Sequence, residues 1–326
     1  MAKQRLPVLQ DSETTVKSNT KRRLPDWFKV SLPTGDSLNK FNEINSTINE
    51  NTLNTVCKEA RCPNIHECWS RGTATFMIAG QECTRGCRFC AVGSIKTPPP
   101  LDENEPENLA FAVKNMKLEH AVITVVNRDD LEDSGASHYR KCLEKVREIC
   151  PNTTLELLCS DLAGDRKALS ELLSNLELEV FAHNVECVPR LDKIVRDKRA
   201  SFNQSIDILR WAKELRPDIL TKSSIMVGLG ESNEEVFEAM KLLRENGCDI
   251  ITIGQYLQPN KKLLPVERFP EPEQFKQWEI LAKDLGFSGV ACGPLVRSSY
   301  RAGLLYRNIT SNQKQSKTEY KRVYHE

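Results

Sequence analysis

Six of the chain's twelve cysteines, Cys57, Cys62, Cys68, Cys83, Cys87 and Cys90, fall within 34 residues, where even scattering over 326 would put about one. Such crowding means a disulfide scaffold, a metal or cluster site, or reactive thiols. The opening stretch, MAKQRLPVLQDSETTV, is basic in its first residues but has no apolar segment behind them, so no secretory signal is expected. In a reducing cytosol the thiols are metal ligands, catalytic groups or small core residues, not disulfides. A cytoplasmic location is the expectation, and Asp11 and Glu13 make the arm a poor transit peptide.

The spacing narrows the choice. CTRGCRFC sets Cys83, Cys87 and Cys90 in Cys-x3-Cys-x2-Cys order. A loop that tight can wrap three thiolates around a cuboidal iron–sulfur cluster and leave one iron open, with Gly86 letting the backbone come close. Zinc is the competing reading, but it needs a fourth ligand and none follows nearby. Upstream, CKEARCPNIHEC offers Cys57, Cys62 and Cys68, again three thiolates, with His66 as a possible completion of a zinc site or simply a loop residue. Two triplets in one short window point to two clusters.

Around these motifs the chain alternates. Short apolar runs at Thr75 to Ala79, Ala121 to Val126, Thr154 to Cys159, Glu179 to Asn184, Ser223 to Leu229 and Ile250 to Leu257 read as strands. Helical stripes fill the gaps, such as Leu109, Val113 and Met116, or Val236, Phe237, Met240 and Leu243. Repeated βα units build a parallel sheet, as an open six-unit barrel or a doubly wound sheet, and put chemistry at the carboxyl ends of the strands. A further short run, Gly289 to Cys292, leads into the tail. Residues 1–52 read as a polar arm, pinned by an apolar island from Leu24 to Val30, and the stretch from Asn308 as a frayed polar tail. The other six cysteines, Cys142, Cys150, Cys159, Cys187, Cys248 and Cys292, read as core. A net charge of +1 argues against nucleic acid held by a positive field, and no apolar run is long enough for a membrane span.

CTRGCRFC resembles the cluster loop of radical S-adenosylmethionine enzymes, and together with CKEARCPNIHEC it resembles the lipoyl synthase family. The likeness continues through VNRDDLEDSGA, VFAHNVECVPRL, SSIMVGLGE, TIGQYLQP and GPLVRSSYRAG, covering roughly residues 50 to 305. It implies an α/β fold, a six-unit partial (β/α) barrel, with extensions carrying an auxiliary cluster: an arm over 1–52, a cluster segment over 53–70, the barrel over 71–290 and a C-terminal segment over 291–326. It also implies two 4Fe–4S clusters and S-adenosylmethionine. Cys83, Cys87 and Cys90 would hold the cluster that cleaves the cofactor, and Cys57, Cys62, Cys68 and Ser299 the auxiliary cluster.

The implied reaction inserts sulfur from the auxiliary cluster at carbons 6 and 8 of an octanoyl chain on a lysine. The implied partners are the octanoylated lipoyl domain of a carrier protein and an electron donor protein. Unactivated alkyl carbons offer acid–base or nucleophilic side chains nothing to act on, so a cofactor radical suits them. Asn127, Asn184, Glu186 and Gly228, with Arg128, Asp129, Asp130, Gly230, Glu231, Gln255 and Tyr256, stand at strand ends where the cofactor would lie. The chain departs from the family pattern at Val125 or Val126, Cys187, Ser224 and Cys292.

Overall fold

A computed structural model describes residues 24–29, 34–50, 54–59, 62–70 and 75–311. The arm before Leu24, Val30 and the tail beyond residue 311 lie outside the described residues. The strands are β1 (Asn54–Thr55), β2 (Thr75–Ile78), β3 (Glu82–Cys83), β4 (Gly93–Ser94), β5 (His120–Val125), β6 (Thr154–Leu158), β7 (Val180–Ala182), β8 (Leu220–Val227), β9 (Ile250–Gln255) and β10 (Gly289–Gly293). The main sheet runs β1-β2-β5-β6-β7-β8-β9-β10, and β3 and β4 form a separate ladder. β1 pairs antiparallel with β2, and every later pair in the main sheet is parallel. From β2 onward the strands stand in sequence order. A doubly wound sheet would reverse that order at a switch point, so the barrel-type alternative holds.

β2 and β9 are buried along their whole length, as parallel strands covered on both faces must be. The helical stripes read from the sequence form Glu105–Asn115, Ala136–Ile149, Arg166–Leu173, Phe202–Leu215, Asn233–Glu245 and Pro272–Asp284. The run at Gly289 to Cys292 is a seventh parallel strand, paired with β9 from Gly289↔Ile250 to Gly293↔Gly254. β8 starts three residues earlier than its apolar run suggested. Lys222 hides that start in the sequence, because its ammonium is buried against the Glu156 carboxylate at 2.6 Å.

Two segments read as polar prove amphipathic. Asp36–Glu50 is a helix that buries Ile44 and Ile48 and stacks Phe41 on Trp69 at 5.2 Å. Four apolar residues, of which Leu38 is exposed, among so many Asn, Ser and Glu made too thin a stripe to stand out. Residues 302–311 are likewise helical, and Ile309 is buried, so the stretch from Asn308 is not frayed as far as residue 311. In the apolar island Phe28 is buried and packs edge-on against Phe269 at 5.6 Å, which pins the island to the body.

This last helix shows how far the sheet curls. Gly303 lies against His120 at the start of β5, and Ile309 against Gly289 and Ile250 at the starts of β10 and β9. In a flat sheet β5 and β10, five strand spacings apart, would stand about 24 Å from each other, whereas six helical residues rise only about 9 Å. The strand starts therefore converge on one axis, and the helix plugs that end. Above it lies the Lys222–Glu156 pair, with His120 Nε2 3.6 Å from the second Glu156 oxygen.

Burial alone would raise the Glu156 pKa, but the Lys222 ammonium and His120 outweigh it and hold the carboxyl below its ordinary value. The pair thus contributes stability above the unfolded carboxyl pKa, and loses it as pH falls through the lower folded one. Glu156→Gln should cost about 3–5 kcal/mol in denaturant unfolding at pH 7 by stranding the buried ammonium, and adding Lys222→Met should recover most of that. Equal losses in the single and double variants would refute this account.

Candidate functional site

The loop bearing CTRGCRFC is launched by a tight reversal after β2, with Ala79 and Gly80 both at positive φ (69° and 102°). Three polar side chains hold that reversal. The Glu105 carboxylate accepts the Ala79 N–H at 2.8 Å and meets His138 Nε2 at 2.5 Å, while Arg128 donates to the Ala79 carbonyl at 3.2 Å. Beyond it, β3 and β4 pair Cys83 with Ser94 and so clip the two ends of the loop together.

Arg85, inside the motif and 4% exposed, ties the loop to the barrel. Its guanidinium grips Asp129 after β5, with Nη2 at 2.7 Å and Nε at 3.0 Å, and reaches Asp161 after β6 at 2.6 Å. Burial opposes the Arg85 charge, yet these two carboxylates push its pKa above the ordinary value. Asp129 and Asp161 are correspondingly held low against their own burial. Thr84 adds a backbone bond to the Asn127 carbonyl at 3.0 Å and a hydroxyl bond to Asp129.

The three thiols share this pocket. Cys83 receives the Arg85 N–H at 3.4 Å and Cys87 the Asp197 N–H at 3.3 Å. Burial pushes the Cys87 thiol up to about 11 and the Cys90 thiol up to about 12, with mutual repulsion among the three sulfurs and Glu186 adding to it. Such thiols stay protonated at neutral pH unless a metal centre supplies positive charge. Glu186 faces them from a left-handed backbone position (φ 68°), and burial raises its carboxyl pKa. Asn184 hydrogen-bonds the Glu186 carboxylate and keeps a buried side-chain oxygen without a partner.

Cys57, Cys62 and Cys68 are gathered by two short helices, Val56–Glu59 and Ile65–Ser70, joined by backbone bonds from Cys62 N–H to Cys57 and from Ile65 N–H to Cys62. Burial raises the Cys57 pKa, and the Cys62 charge raises it further. The turn holding Ser298 and Ser299 docks on this segment. Asn64 donates to the Leu295 carbonyl at 2.6 Å, Tyr300 to Glu67 at 3.1 Å, and Arg301 pairs with Glu67 at 2.8 Å. Arg297 interacts electrostatically with Cys62, and burial lowers its pKa. Trp69 reaches the Cys57 sulfur with its side-chain N–H, and the buried His66 Nδ1 has no hydrogen-bond partner.

In neither triplet, among the described residues, do the three sulfurs come within 4.8 Å of one another. Zinc, with Zn–S near 2.3 Å, would draw them to about 3.8 Å. The group that does converge, Glu105, His138 and Cys142, is spent on holding the Ala79 reversal.

Several expected cofactor contacts are otherwise engaged. Arg128 pairs with Asp130 at 2.8 Å, Asp129 belongs to Arg85, and Glu231 accepts the Gly228 and Leu229 N–H groups. Gln255 donates to the Tyr256 and Arg268 carbonyls, and Tyr256 to the Leu264 carbonyl. Gly228 is at φ 97°, and a Cβ there would stand 2.1 Å from Gln255, so its role is to let that turn pack. Asn127 lends its carbonyl to the loop. Asn184 and Glu186 remain facing the thiols. Cys142, Cys150, Cys159, Cys187 and Cys248 are buried core, while Cys292 is half-buried.

Sequence reasoning missed Asp161, Asp197 and the His183–Ser205–Arg196 group. In that group His183 donates from Nδ1 to the Cys159 carbonyl and accepts at Nε2 from Ser205. Burial brings the His183 pKa down to about 4, which keeps it neutral. Asp161 had a signal, its place three residues past the end of β6.

Comparison with known proteins agrees with this geometry. Residues 77–243 match the radical SAM superfamily, and residues 3–62 match the N-terminal domain of lipoyl synthase of the radical SAM family. The chain is 48% identical to the mitochondrial lipoyl synthase of Bos taurus over 91% of its own length and 82% of that protein's. It is 46% identical to the Homo sapiens protein of the same name over the same shares, and 47% identical to that of Schizosaccharomyces pombe over 86% of this chain and 76% of that one. The hydrogenase maturase HydG of Carboxydothermus hydrogenoformans shares the fold, with a TM-score of 0.52 at 14% identity over 78% of this chain and 66% of that one.

The relatives' names overturn the cytoplasmic expectation and point to a mitochondrial location. Two acidic residues in an arm say little, because a transit segment is set by its overall basic, amphipathic character. Among the described residues no helix is long and apolar enough to cross a membrane.

Arg85→Met should strand Asp129 and Asp161 and loosen the loop. Anaerobically reconstituted protein should then hold about four irons per chain instead of about eight, four per cluster, with lowered thermal stability. Full iron content would show that Arg85 does not hold the loop.

Proposed function

The chain belongs to the lipoyl synthase family of radical S-adenosylmethionine enzymes, and from that premise we propose which of its residues perform the family's sulfur insertion. The enzyme is a sulfur-inserting transferase that uses S-adenosylmethionine and 4Fe–4S clusters and acts on lipoyl-domain proteins. The acceptor is the octanoyl-lysine of such a domain, with sulfur entering at carbons 6 and 8, and an electron donor protein starts each cycle. When bound, the cofactor and its cluster supply hydrogen-atom abstraction, which unactivated C–H bonds require.

Cys83, Cys87 and Cys90 would hold the first cluster through three thiolates, leaving S-adenosylmethionine room to bind beside it. Arg85, Asp129 and Asp161 keep that loop at the barrel's mouth. Asn184 and Glu186 are in reach of the cofactor there, and Asn127 and Gly228 shape the walls. Cys57, Cys62 and Cys68 hold the auxiliary cluster, with Ser299 as fourth ligand. An oxygen ligand is harder than thiolate and is released more readily from iron, which suits a cluster that gives up its sulfur. Arg297, electrostatically engaged with Cys62, balances the added negative charge.

The observation that carries this reading is the docking of the Ser298–Ser299 turn onto the upstream cysteine segment through Asn64 and Glu67, some 230 residues away in sequence. A cysteine pattern without that docking would fit many radical enzymes.

Cys68→Ala should retain cleavage of S-adenosylmethionine by the reduced enzyme and abolish sulfur insertion into an octanoyl-lysine peptide, whereas Cys87→Ala should abolish both. Ser299→Ala should behave like Cys68→Ala, and Ser298→Ala should retain insertion. Equal loss of cleavage in Cys68→Ala and Cys87→Ala, in folded and reconstituted protein, would sink this division of roles.

A further inference from the structure

The outer side of the CTRGCRFC loop carries a local concentration of positive charge that the reaction as described does not use. Thr84, Ser94, Ile95, Lys96, Lys198 and Arg199 line a hollow of about 490 Å³ there. Arg88, Lys96, Lys193, Lys198 and Arg199 are all exposed around it, in a chain whose net charge is only +1. Two isoleucines, Ile95 at 40% and Ile194 at 48% exposure, stand among these cations. Asp197 also lies here, but its charge is taken up by Arg199 at 2.9 Å and by the Gly86 N–H at 2.9 Å. Glu82, on the strand paired with Gly93 and Ser94, and Asp197 bring acids to the rim, and Arg199 is spent on Asp197 and Asp129, which leaves Arg88, Lys96, Lys193 and Lys198 as the cations around the apolar pair. Exposed apolar side chains amid an excess of one charge are the make-up of a transient docking surface, where the apolar centre gives contact and the charge gives steering.

The patch is wired to the cluster loop from behind. The backbone N–H of Asp197, next in sequence to Lys198, donates to Cys87 Sγ at 3.3 Å. Arg199 donates to the Thr84 carbonyl at 2.6 Å, and Arg88 to the Ile194 carbonyl at 3.4 Å. A molecule seated on the patch is separated from a ligand sulfur by little more than one peptide unit.

We propose that the surface formed by Arg88, Lys96, Lys193 and Lys198 around Ile95 and Ile194 docks a small acidic one-electron carrier protein, flavin- or iron–sulfur-bearing, that reduces the cluster through the Cys87 side of its loop. The inference rests on reading Cys83, Cys87 and Cys90 as ligands of the radical-generating cluster. In each encounter the carrier loses one electron and the cluster gains one, with no bond made or broken between the two proteins.

The test uses reconstituted holoenzyme and an acidic flavodoxin as probe. Lys96→Glu combined with Lys198→Glu should weaken flavodoxin binding at low ionic strength at least about tenfold, and should flatten the salt dependence of that binding. The flavodoxin-driven rate of S-adenosylmethionine cleavage should fall in parallel, while the rate with dithionite stays unchanged. Lys96→Arg with Lys198→Arg should restore both binding and rate. Unaltered flavodoxin binding in the charge-reversed protein would overturn the proposal, and so would an equal loss with dithionite, which would place the defect in the loop itself. Weakened binding of an acylated lipoyl domain with flavodoxin binding intact would assign the surface to the other partner and also overturn it. Absence of dithionite-driven cleavage in the unaltered enzyme would instead count against the cluster reading.

Discussion

The site depends first on one buried guanidinium. Arg85 belongs to the cysteine loop, but its partners Asp129 and Asp161 belong to the ends of β5 and β6. A loop rich in Gly and Cys has little apolar surface with which to hold itself in place. Charge-assisted, bidentate bonds in a dry setting supply direction that packing cannot. Removing either side would leave an uncompensated charge inside the protein, so the arrangement is held as a unit. Everything that faces the thiols, from Asn184 to the Asp197 amide, is placed relative to that anchor.

The far end of the barrel obeys similar physics with a different result. Lys222 and Glu156 point into the centre of the strand ring, where a pair of aliphatic side chains would have been cheaper to bury. Their polarity is closed off below by the helix over 302–311, whose Tyr306 stacks on His120 at 5.9 Å and whose Arg307 pairs with Glu119 at 2.8 Å. That helix begins two residues after Tyr300. The serine turn and the plug are thus one continuous strap. Gly254 in β9 lets the strap pass, since a Cβ there would collide with the Val296 carbonyl at 2.0 Å.

Much of this was legible in the sequence, and the limits are physical. The alternating strands and helices were visible because parallel strands buried on both faces leave unbroken apolar runs, and both cysteine triplets because their spacing is local. β10 and the early start of β8 were harder. Gly289, Gly293 and Lys222 do not look like strand residues until their partners are known. The strand-end polar residues were the hardest to read, since a charged group at a strand's carboxyl end serves equally well as a cofactor contact or as a strut. Arg128, Asp129 and Glu231 are struts, and only the position of Arg85, Asp130 and the Gly228 turn in space decides it. The same holds for Glu105 and His138, 33 residues apart in sequence, whose contact no local pattern announces.

The two cysteine sites differ in construction in a way that matches the unequal fates proposed for their clusters. The first is embedded: its loop is clipped by β3 and β4, anchored by buried ion pairs, and lined by thiols that burial keeps protonated until iron arrives. A centre that must survive many cycles gains from such a frame, because ligand positions persist when the metal changes oxidation state. The second is assembled from two segments that flank the barrel strands in the chain, one before β2 and one after β10, joined through Asn64, Glu67, Tyr300 and Arg301, of which Arg301 is exposed and Glu67 half-buried. The partly exposed Arg301–Glu67 pair contributes about 1 kcal/mol or less, so the joint rests chiefly on the buried Asn64 bond to the Leu295 carbonyl and on the buried Val296 and Ala302. The second site therefore depends on contacts between distant segments where the first depends on one anchored loop.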